Sequence, residues 1–586
     1  MSDQTGCTSL TGGEAVVRAL AAHGVTQAFG IPGTHNLEIY RHLGPYGIGH
    51  VAPRHEQGAG YAADAYARVT GRPGVAITTT GPALLNIAAA VGQAYSDSVP
   101  LLVVSPGMPL RHPRQATGLL HEMRSQTEAL RGVAAFSHRV SSVEEIGSAV
   151  ARAFALLRHE RPRPVHVEVP LDLLEAAEPA GPVRLAPPMA RPGAAAAAVR
   201  EAARVLRSSK RPALVLGGGA RQAAAECLTL AERLGAPVVT TANGKGIVDE
   251  THPLALGVSL HSPAVQRWLT GCDAVLAIGT ELAESDLWSA PPALTGTLIR
   301  VDLDPAQMYA GLPAGQPLVG DARTTLTALL TALTEPRSAN APGPGNGTDD
   351  GPRTRDRSAD RAGLRTADRC GDTTGDRSAD RSTGRCGPPD PADSVVALRA
   401  ARDAETAVRD ARWLPYLRAI RSVLAHDAFL TSDSAQCCYY GALPHLPVGP
   451  EGRFLHPTGF GTLGYALPAA IGAKTAYPRR QVVALSGDGG LQFSVQELAT
   501  AVQLGLPLPV VVFDNGGYGE IRDGMTARGD RPVAVDLPAV DLPALARAYG
   551  GRGSHADSPE ALARALSLAL TTPGPTVITV TEEPSR

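Results

Sequence analysis

The chain has 586 residues, 44% of them apolar, with 54 basic and 56 acidic side chains for a formal charge of −2. Such a length exceeds one domain and allows about three. The balanced charge excludes nucleic-acid or membrane binding by bulk electrostatics, and no apolar run reaches the ~18 residues needed to span a bilayer. The first residues, Met-Ser-Asp-Gln-Thr-Gly, have neither a basic nor an apolar signal segment. Seven cysteines, an odd number without a C-x-x-C pair, form no disulfide framework. A reducing cytoplasm is the expected location.

In chain order, the first block (1–177) alternates strands at Val25–Phe29, Val75–Thr79, Leu101–Ser105 and Val165–Val169 with helical stretches. A Pro/Ala-rich connector, Glu178 to Ala195, leads to a second block (196–334) with strands at Ala213–Leu216, Ala274–Ile278 and Leu298–Asp302. Gly217-Gly-Gly after the first of these strands suggests a nucleotide loop, but Gln222 stands at the third fingerprint position, which weakens a dinucleotide reading. From 335 to 392 large apolar residues nearly vanish and Arg-Ser-Ala-Asp-Arg occurs twice. That composition buries too little surface to offset ordering entropy and reads as a disordered insertion. The third block (393–586) closes with a strand at Thr576–Val580.

The third block carries the most informative pattern. Gln481-Val-Val-Ala-Leu-Ser-Gly and Leu508-Pro-Val-Val-Val-Phe read as buried strands. Between them Val495 to Leu504 has helical spacing, with Leu498, Ala501, Val502 and Leu504 on one face. This is a βαβ unit, so the strands are parallel and their C-terminal ends open side by side. Asp488, in Gly487-Asp-Gly-Gly490, follows the first strand, and Asn515 comes 27 residues later, after the second. Gly-Asp-Gly alone is an ordinary turn. With the spacing to Asn515 it sets hard oxygen ligands beside glycine-freed amides, a combination suited to Mg²⁺ and a diphosphate.

The arrangement resembles the diphosphate-binding motif of thiamine-diphosphate enzymes, the 2-oxo acid decarboxylase and acetolactate synthase family. The resemblance implies that Asp488, Asn515 and the Gly517 carbonyl bind the metal, with Gly487, Gly489, Gly490, Tyr518 and Gly519 in the same cofactor cradle. Asp514 stands where the family usually has a first Asn, leaving the ligand Asn515 in place. The N-terminal segment Glu56-Gln-Gly-Ala-Gly-Tyr-Ala-Ala-Asp-Ala-Tyr-Ala matches the family pattern in which a glutamate activates the aminopyrimidine ring. Taken alone, Glu56 would be an ordinary acid at a helix N-terminus. In Gly459-Phe-Gly-Thr-Leu-Gly, Gly461 matches the carbonyl that accepts from the pyrimidine amino group, and Leu463 the apolar wedge that bends the cofactor.

The family implies three doubly wound parallel α/β domains: pyrimidine-binding, central and diphosphate-binding. It also implies a homodimer or homotetramer with cofactor sites at the subunit interface. Its central domain holds FAD in some members; here FAD is not favoured.

Further strings bear on the substrate, expected to be a small 2-oxo acid. Gly30-Ile-Pro-Gly-Thr34-His35-Asn resembles the substrate-facing loop, making Thr34 and His35 candidates for orienting the carboxylate or relaying a proton. Gly81-Pro-Ala83 departs from the Gly-Pro-Gly of acetolactate synthases, and Thr79 stands where benzoylformate decarboxylases have a histidine. Arg54-His-Glu-Gln-Gly-Ala-Gly, Leu120-His121-Glu122, Gly132-Val-Ala-Ala-Phe-Ser-His, Arg161-Pro-Arg-Pro-Val-His and Asn515-Gly-Gly-Tyr-Gly-Glu520-Ile resemble 5-guanidino-2-oxopentanoate (2-ketoarginine) decarboxylases. That likeness implies decarboxylation to 4-guanidinobutanal and CO₂. An acetolactate synthase-like carboligase, a benzoylformate-type decarboxylase and an inactive paralogue are the alternatives. A cationic substrate tail needs a carboxylate, for which Glu520 and Glu122, with His121 beside it, are the candidates.

Overall fold

The computed structural model describes residues 9–112, 117–179, 181–335 and 391–582, so the 335–392 insertion falls almost wholly outside them. Three six-stranded sheets, all parallel, carry the chain. The strands of the first are Gln27–Gly30, Gly49–Val51, Gly74–Ile77, Leu101–Gly107, Phe136–Arg139 and Val165–Pro170; numbered in chain order, they lie side by side as 2-1-3-4-6-5. The third sheet, from Phe429–Ser432, Arg453–Leu455, Val482–Gly487, Leu508–Asp514, Arg552–His555 and Pro575–Thr581, has the same order. The middle sheet, from Pro212–Leu216, Val238–Thr240, Ala255–Val258, Ala274–Ile278, Thr297–Asp302 and Gln316–Val319, runs 3-2-1-4-5-6, the order of the dinucleotide-binding fold. Thus the expected doubly wound α/β architecture is present three times, the outer two copies alike.

Helices cover both faces of each sheet, so central strands are continuous apolar runs: Leu101 to Val104 are wholly buried. The strands expected from such runs are found within a few residues of their predicted ends. Those not anticipated are short, such as Val238–Thr240, Gln316–Val319 and Arg453–Leu455. The predicted βαβ unit pairs in parallel, Ala484 with Val510 through Gly487 with Phe513. Its helix spans Glu497–Gln503 rather than 495–504, and it buries Leu498 and Ala501 while Leu504 is exposed. Pro391–Asp410 is one helix whose buried Val395 joins the core of the central domain. Arg399 and Arg402 on that helix donate to the carbonyls of Ala255 and Leu256 there. Among the described residues no helix is long and apolar enough to cross a membrane.

The outer domains meet through equivalent helices, each following the second strand of its sheet. Glu56–Thr70 starts at His55, extended at φ −150° and accepting from the Gln57 amide, and stops at Gly71 in the left-handed region. Its partner is Ala466–Ala476. Both surfaces are nearly all small residues, with Ala59, Ala62 and Ala63 facing a core shared with Ala466, Ala469, Ala470 and Ala473. Backbones approach so closely that a Cβ at Gly472 would lie 2.0 Å from the Ala62 carbonyl oxygen.

Polar groups lock this seam. Arg68 donates to Asp64 and Asp97, both at 2.7 Å, and to Asn243 of the central domain at 2.9 Å. Tyr465 donates to Asp64 at 2.6 Å, and Asp97 accepts from the Thr458 and Gly459 amides. One guanidinium therefore ties all three domains. Replacing it strands two buried carboxylates, which is far costlier than losing a surface pair. Arg68→Met is expected to lower stability by about 3–5 kcal/mol, seen as an earlier denaturant midpoint, whereas Arg204→Met, in an exposed pair with Glu201, should leave the midpoint nearly unchanged.

Candidate active site

Asp488 begins the turn of helix after Val482–Gly487, and Asn515 follows the end of Leu508–Asp514, the neighbouring strand. The Asn515 amide N–H donates to Asp488 Oδ1 at 3.3 Å. Its carboxamide oxygen faces two further oxygens, Asp488 Oδ1 at 3.3 Å and the Gly517 carbonyl at 2.9 Å. Exchanging the amide O and N would turn these into two hydrogen bonds. Such spacing is also that of oxygens gathered around one small cation, since ligands ~2.1 Å from an octahedral ion lie about 3 Å from one another. Burial, and then the charge of Asp514, pushes the Asp488 carboxyl up to about 6.

Backbone geometry holds the triangle. Gly517 has φ +139°, and a Cβ there would lie 2.1 Å from the Val535 carbonyl oxygen, so only glycine fits. Tyr518 N–H donates to Val535 O, and Leu537 N–H to Gly516 O, pinning the loop to a neighbouring segment. A Cβ would also crowd the Tyr518 ring at Gly489, at 3.0 Å, and the Asp433 carboxylate at Gly490, at 2.9 Å. Asp433, buried at the end of Phe429–Ser432, accepts from the Gly464 amide at 3.0 Å and from Ser486 Oγ at 3.1 Å. Burial pushes its carboxyl up to about 6. It thereby holds the loop of Gly461 and Leu463, whose other side is fixed by Thr462 donating to Gln93 of the first domain at 3.1 Å.

The first domain gathers its own set at the same ends of its strands. Glu56, half-buried at the start of its helix, accepts from Asn86 Nδ2 at 2.9 Å. His35 Nδ1 lies 2.6 Å from Thr80 Oγ1, which in turn lies 3.1 Å from His121 Nδ1. The two rings stand edge to face at 5.4 Å. Burial, with His121 adding to it, holds His35 below the usual histidine range. His35 and His121, 86 residues apart, thus form one unit through Thr80, while Thr34 is exposed beside it.

The two candidate tail carboxylates differ. Glu122 is occupied by its own loop: it accepts from the Thr117, Gly118 and Leu119 amides and pairs with His112. Glu520 lies on Gly519–Ala527, directly after the Asn515–Gly517 loop. It accepts from Gln436 Nε2 at 3.0 Å and from the Tyr440 hydroxyl at 3.0 Å. The same Gln436 nitrogen donates to Asp523 at 2.9 Å. Among the described residues neither Glu520 nor Asp523 makes an ion pair, while the oxygen of the same carboxamide accepts from Arg412 Nη2 at 3.4 Å. A Cβ at Gly519 would stand 2.5 Å from Asn515 Nδ2 and 2.9 Å from Gln436 Oε1, so Gln436 adjoins the Asn515–Gly517 loop. Gln436, Asp433 and Thr80 escaped the sequence reading; each follows the C-terminal end of a strand, where ligands gather in open sheets.

Gly217–Gly219 border a cavity of about 1600 Å³ among the three domains. Arginines on its wall are engaged by the fold: Arg161 with Glu281, Arg68 as above, and Arg221 with the Asn243 and Lys245 carbonyls.

The chain matches the thiamine pyrophosphate (thiamine diphosphate) enzyme N-terminal TPP binding domain over residues 10–129, the central domain over 199–329 and the C-terminal TPP binding domain over 435–580. It is 40% identical to the Probable 2-ketoarginine decarboxylase AruI of Pseudomonas aeruginosa, across 92% of this chain and 89% of that protein. It is 31% identical to the acetolactate synthase of Arthrospira platensis, covering 97% and 94%. With the large subunit of acetolactate synthase isozyme 3 of Escherichia coli it shares 30% over 96% and 92%. Three domains in family order, and this similarity along nearly the whole sequence, make the chain a member of the thiamine pyrophosphate enzyme family.

Proposed function

We propose that the protein is a Mg²⁺-dependent thiamine-diphosphate 2-oxo acid decarboxylase acting on 5-guanidino-2-oxopentanoate, giving 4-guanidinobutanal and CO₂. The observation that carries the substrate is the carboxylate pair Glu520 and Asp523, without a cationic partner and next to the metal loop. A planar guanidinium pairs with such oxygens through several hydrogen bonds at once. The relative named for 2-ketoarginine decarboxylation supports the same reading.

Asp488, Asn515 and the Gly517 carbonyl would hold Mg²⁺, which would supply positive charge to offset that of the diphosphate. When bound, the cofactor supplies an electron sink for the bond to the departing carboxylate. Glu56 would hold a proton for the pyrimidine ring of the cofactor, a role that needs a carboxylate shielded from bulk water. His35 has its Nδ1 engaged by Thr80 and keeps Nε2 for proton exchange with the substrate. Leu85 and Leu120 in the first domain and Phe460, Phe493 and Ile521 in the third are exposed apolar residues near these groups. Such surface supports completion of each site by a second copy of the chain, in a dimer or tetramer. The central domain is proposed to carry no FAD, because its glycine turn faces arginines already engaged by the protein.

Binding and chemistry separate by mutation. Asp488→Ala, or a chelator, is expected to release the cofactor on gel filtration. Glu56→Gln is expected to retain it and lose roughly 10²- to 10⁴-fold in turnover, the usual worth of a positioned acid–base group. Wild-type turnover in Glu56→Gln would refute its role.

Substrate choice is read from kcat/KM for 2-ketoarginine against an uncharged 2-oxo acid of similar length. The wild type is expected to prefer the cation, and Glu520→Gln or Asp523→Asn to remove about 2–5 kcal/mol of that preference. Equal use of both substrates by the wild type would reject the cationic tail. Acetolactate formed from pyruvate in place of aldehyde would assign a carboligase.

A further inference from the structure

Glu497 is a buried carboxylate with no role in the chemistry so far. It opens the helix Glu497–Gln503, nine residues beyond Asp488, and is wholly inaccessible. Its side chain leaves its own domain. Oε1 accepts from the backbone amides of Arg54 at 3.0 Å and His55 at 3.1 Å; Oε2 accepts from Arg54 N–H at 3.1 Å and from Thr500 Oγ1 at 2.6 Å. Those two amides are the last before Glu56. The approach is close: a Cβ at Gly58 would lie 2.6 Å from Glu497 Oε1. The far end of the same helix also grips the turn, since Arg54 Nη2 donates to Gln503 Oε1 at 2.7 Å. His55 completes the junction by accepting the Gln57 amide on its ring, so the backbone on both sides of Glu56 is hydrogen-bonded.

We propose that Glu497 is the positioning residue for Glu56, fixing the 54–55 turn and thereby the direction in which the Glu56 carboxylate leaves the backbone. Burying a carboxylate is costly unless it is fully hydrogen-bonded. The donors that satisfy this one belong to the turn, so turn and carboxylate order each other. Rotation of the Arg54–His55 peptide would swing the Glu56 side chain. A charged acceptor shared by two amides resists that rotation more strongly than a neutral one. The helix bearing Glu497 also follows directly on the Asp488–Gln492 turn, so one stretch of the third domain sets both the metal ligand and the first-domain acid.

This inference rests on the proposed role of Glu56, and its test separates the two. In the cofactor-free protein, Glu497→Gln keeps the shape but sets a donor against the amides. Hydrogen exchange at Arg54 and His55 is expected to accelerate about tenfold or more, as when hydrogen bonds to a charged acceptor are lost, with the rest of the chain still protected. In the loaded enzyme kcat should fall roughly 10- to 100-fold, the scale of a small misplacement of a reacting group, with thiamine diphosphate retention and substrate KM unchanged. Thr500→Val, which removes one donor to Oε2, should shift both readouts the same way by less and serves if Glu497→Gln does not fold. Wild-type exchange and kcat in these variants would overturn the proposal. So would a kcat loss matched by general loss of protection and of cofactor, which marks a structural role alone. If Glu56→Gln turns over as the wild type does, the reading of Glu56 falls and this inference with it; if Glu56→Gln is slow while Glu497→Gln is not, only this inference falls.

Discussion

The close packing of Glu56–Thr70 on Ala466–Ala476 is the constraint on which the remaining structure depends. Dispersion at such a seam rewards near contact, and only Ala and Gly permit it where Gly472 lies on the Ala62 carbonyl. Larger side chains would force the two domains apart by more than a rotamer change can absorb. Because the helices are equivalent elements of two like-ordered sheets, their contact relates the domains by an approximate symmetry. Arg68 then anchors the seam to the central domain through Asn243. Replacing the whole buried cluster by apolar groups of the same shape would cost little, but removing Arg68 alone is severe, so the cluster specifies this arrangement over a slipped one.

From that seam the functional loops inherit their places. Each is the segment after a strand, and each is braced from another element: Gly464 by Asp433, Thr462 by Gln93, the Arg54–His55 turn by Glu497. Loops are ordinarily the mobile part of an α/β protein. Here buried carboxylates and carboxamides take up their amides, and glycines at Gly516 and Gly517 adopt backbone angles that other residues resist. Rigid support of this kind is what a site needs to hold several groups in register.

Conservation of fold across the family does not by itself define the reaction. Similar identities to two acetolactate synthases show how far the scaffold is shared. Two local arrangements in this chain bear on the choice of reaction: the helix after Asn515–Gly517 presenting Glu520 and Asp523 to Gln436, and a histidine pair joined through Thr80. Glu122, close in sequence to His121, instead caps its own loop.

The sequence by itself determined the three α/β blocks, the parallel pairing of 482–487 with 508–514 and the adjacency of Asp488 and Asn515 at the ends of those strands. These follow from local signals: long apolar strands buried on both faces, a helical period between them, and glycines beside an acid and an amide. It did not disclose the strands at Val238–Thr240 or Arg453–Leu455, which are too short to establish a period. Nor did it disclose Asp433, Gln436, Asp523 or Glu497. Their partners lie in other segments, up to 443 residues away for Glu497 and Arg54, and an Asp, Gln or Glu looks the same in a sequence whether it meets water or a buried amide. Tertiary structure alone decided that difference, because the desolvation that makes such a group matter arises only once the chain has folded around it.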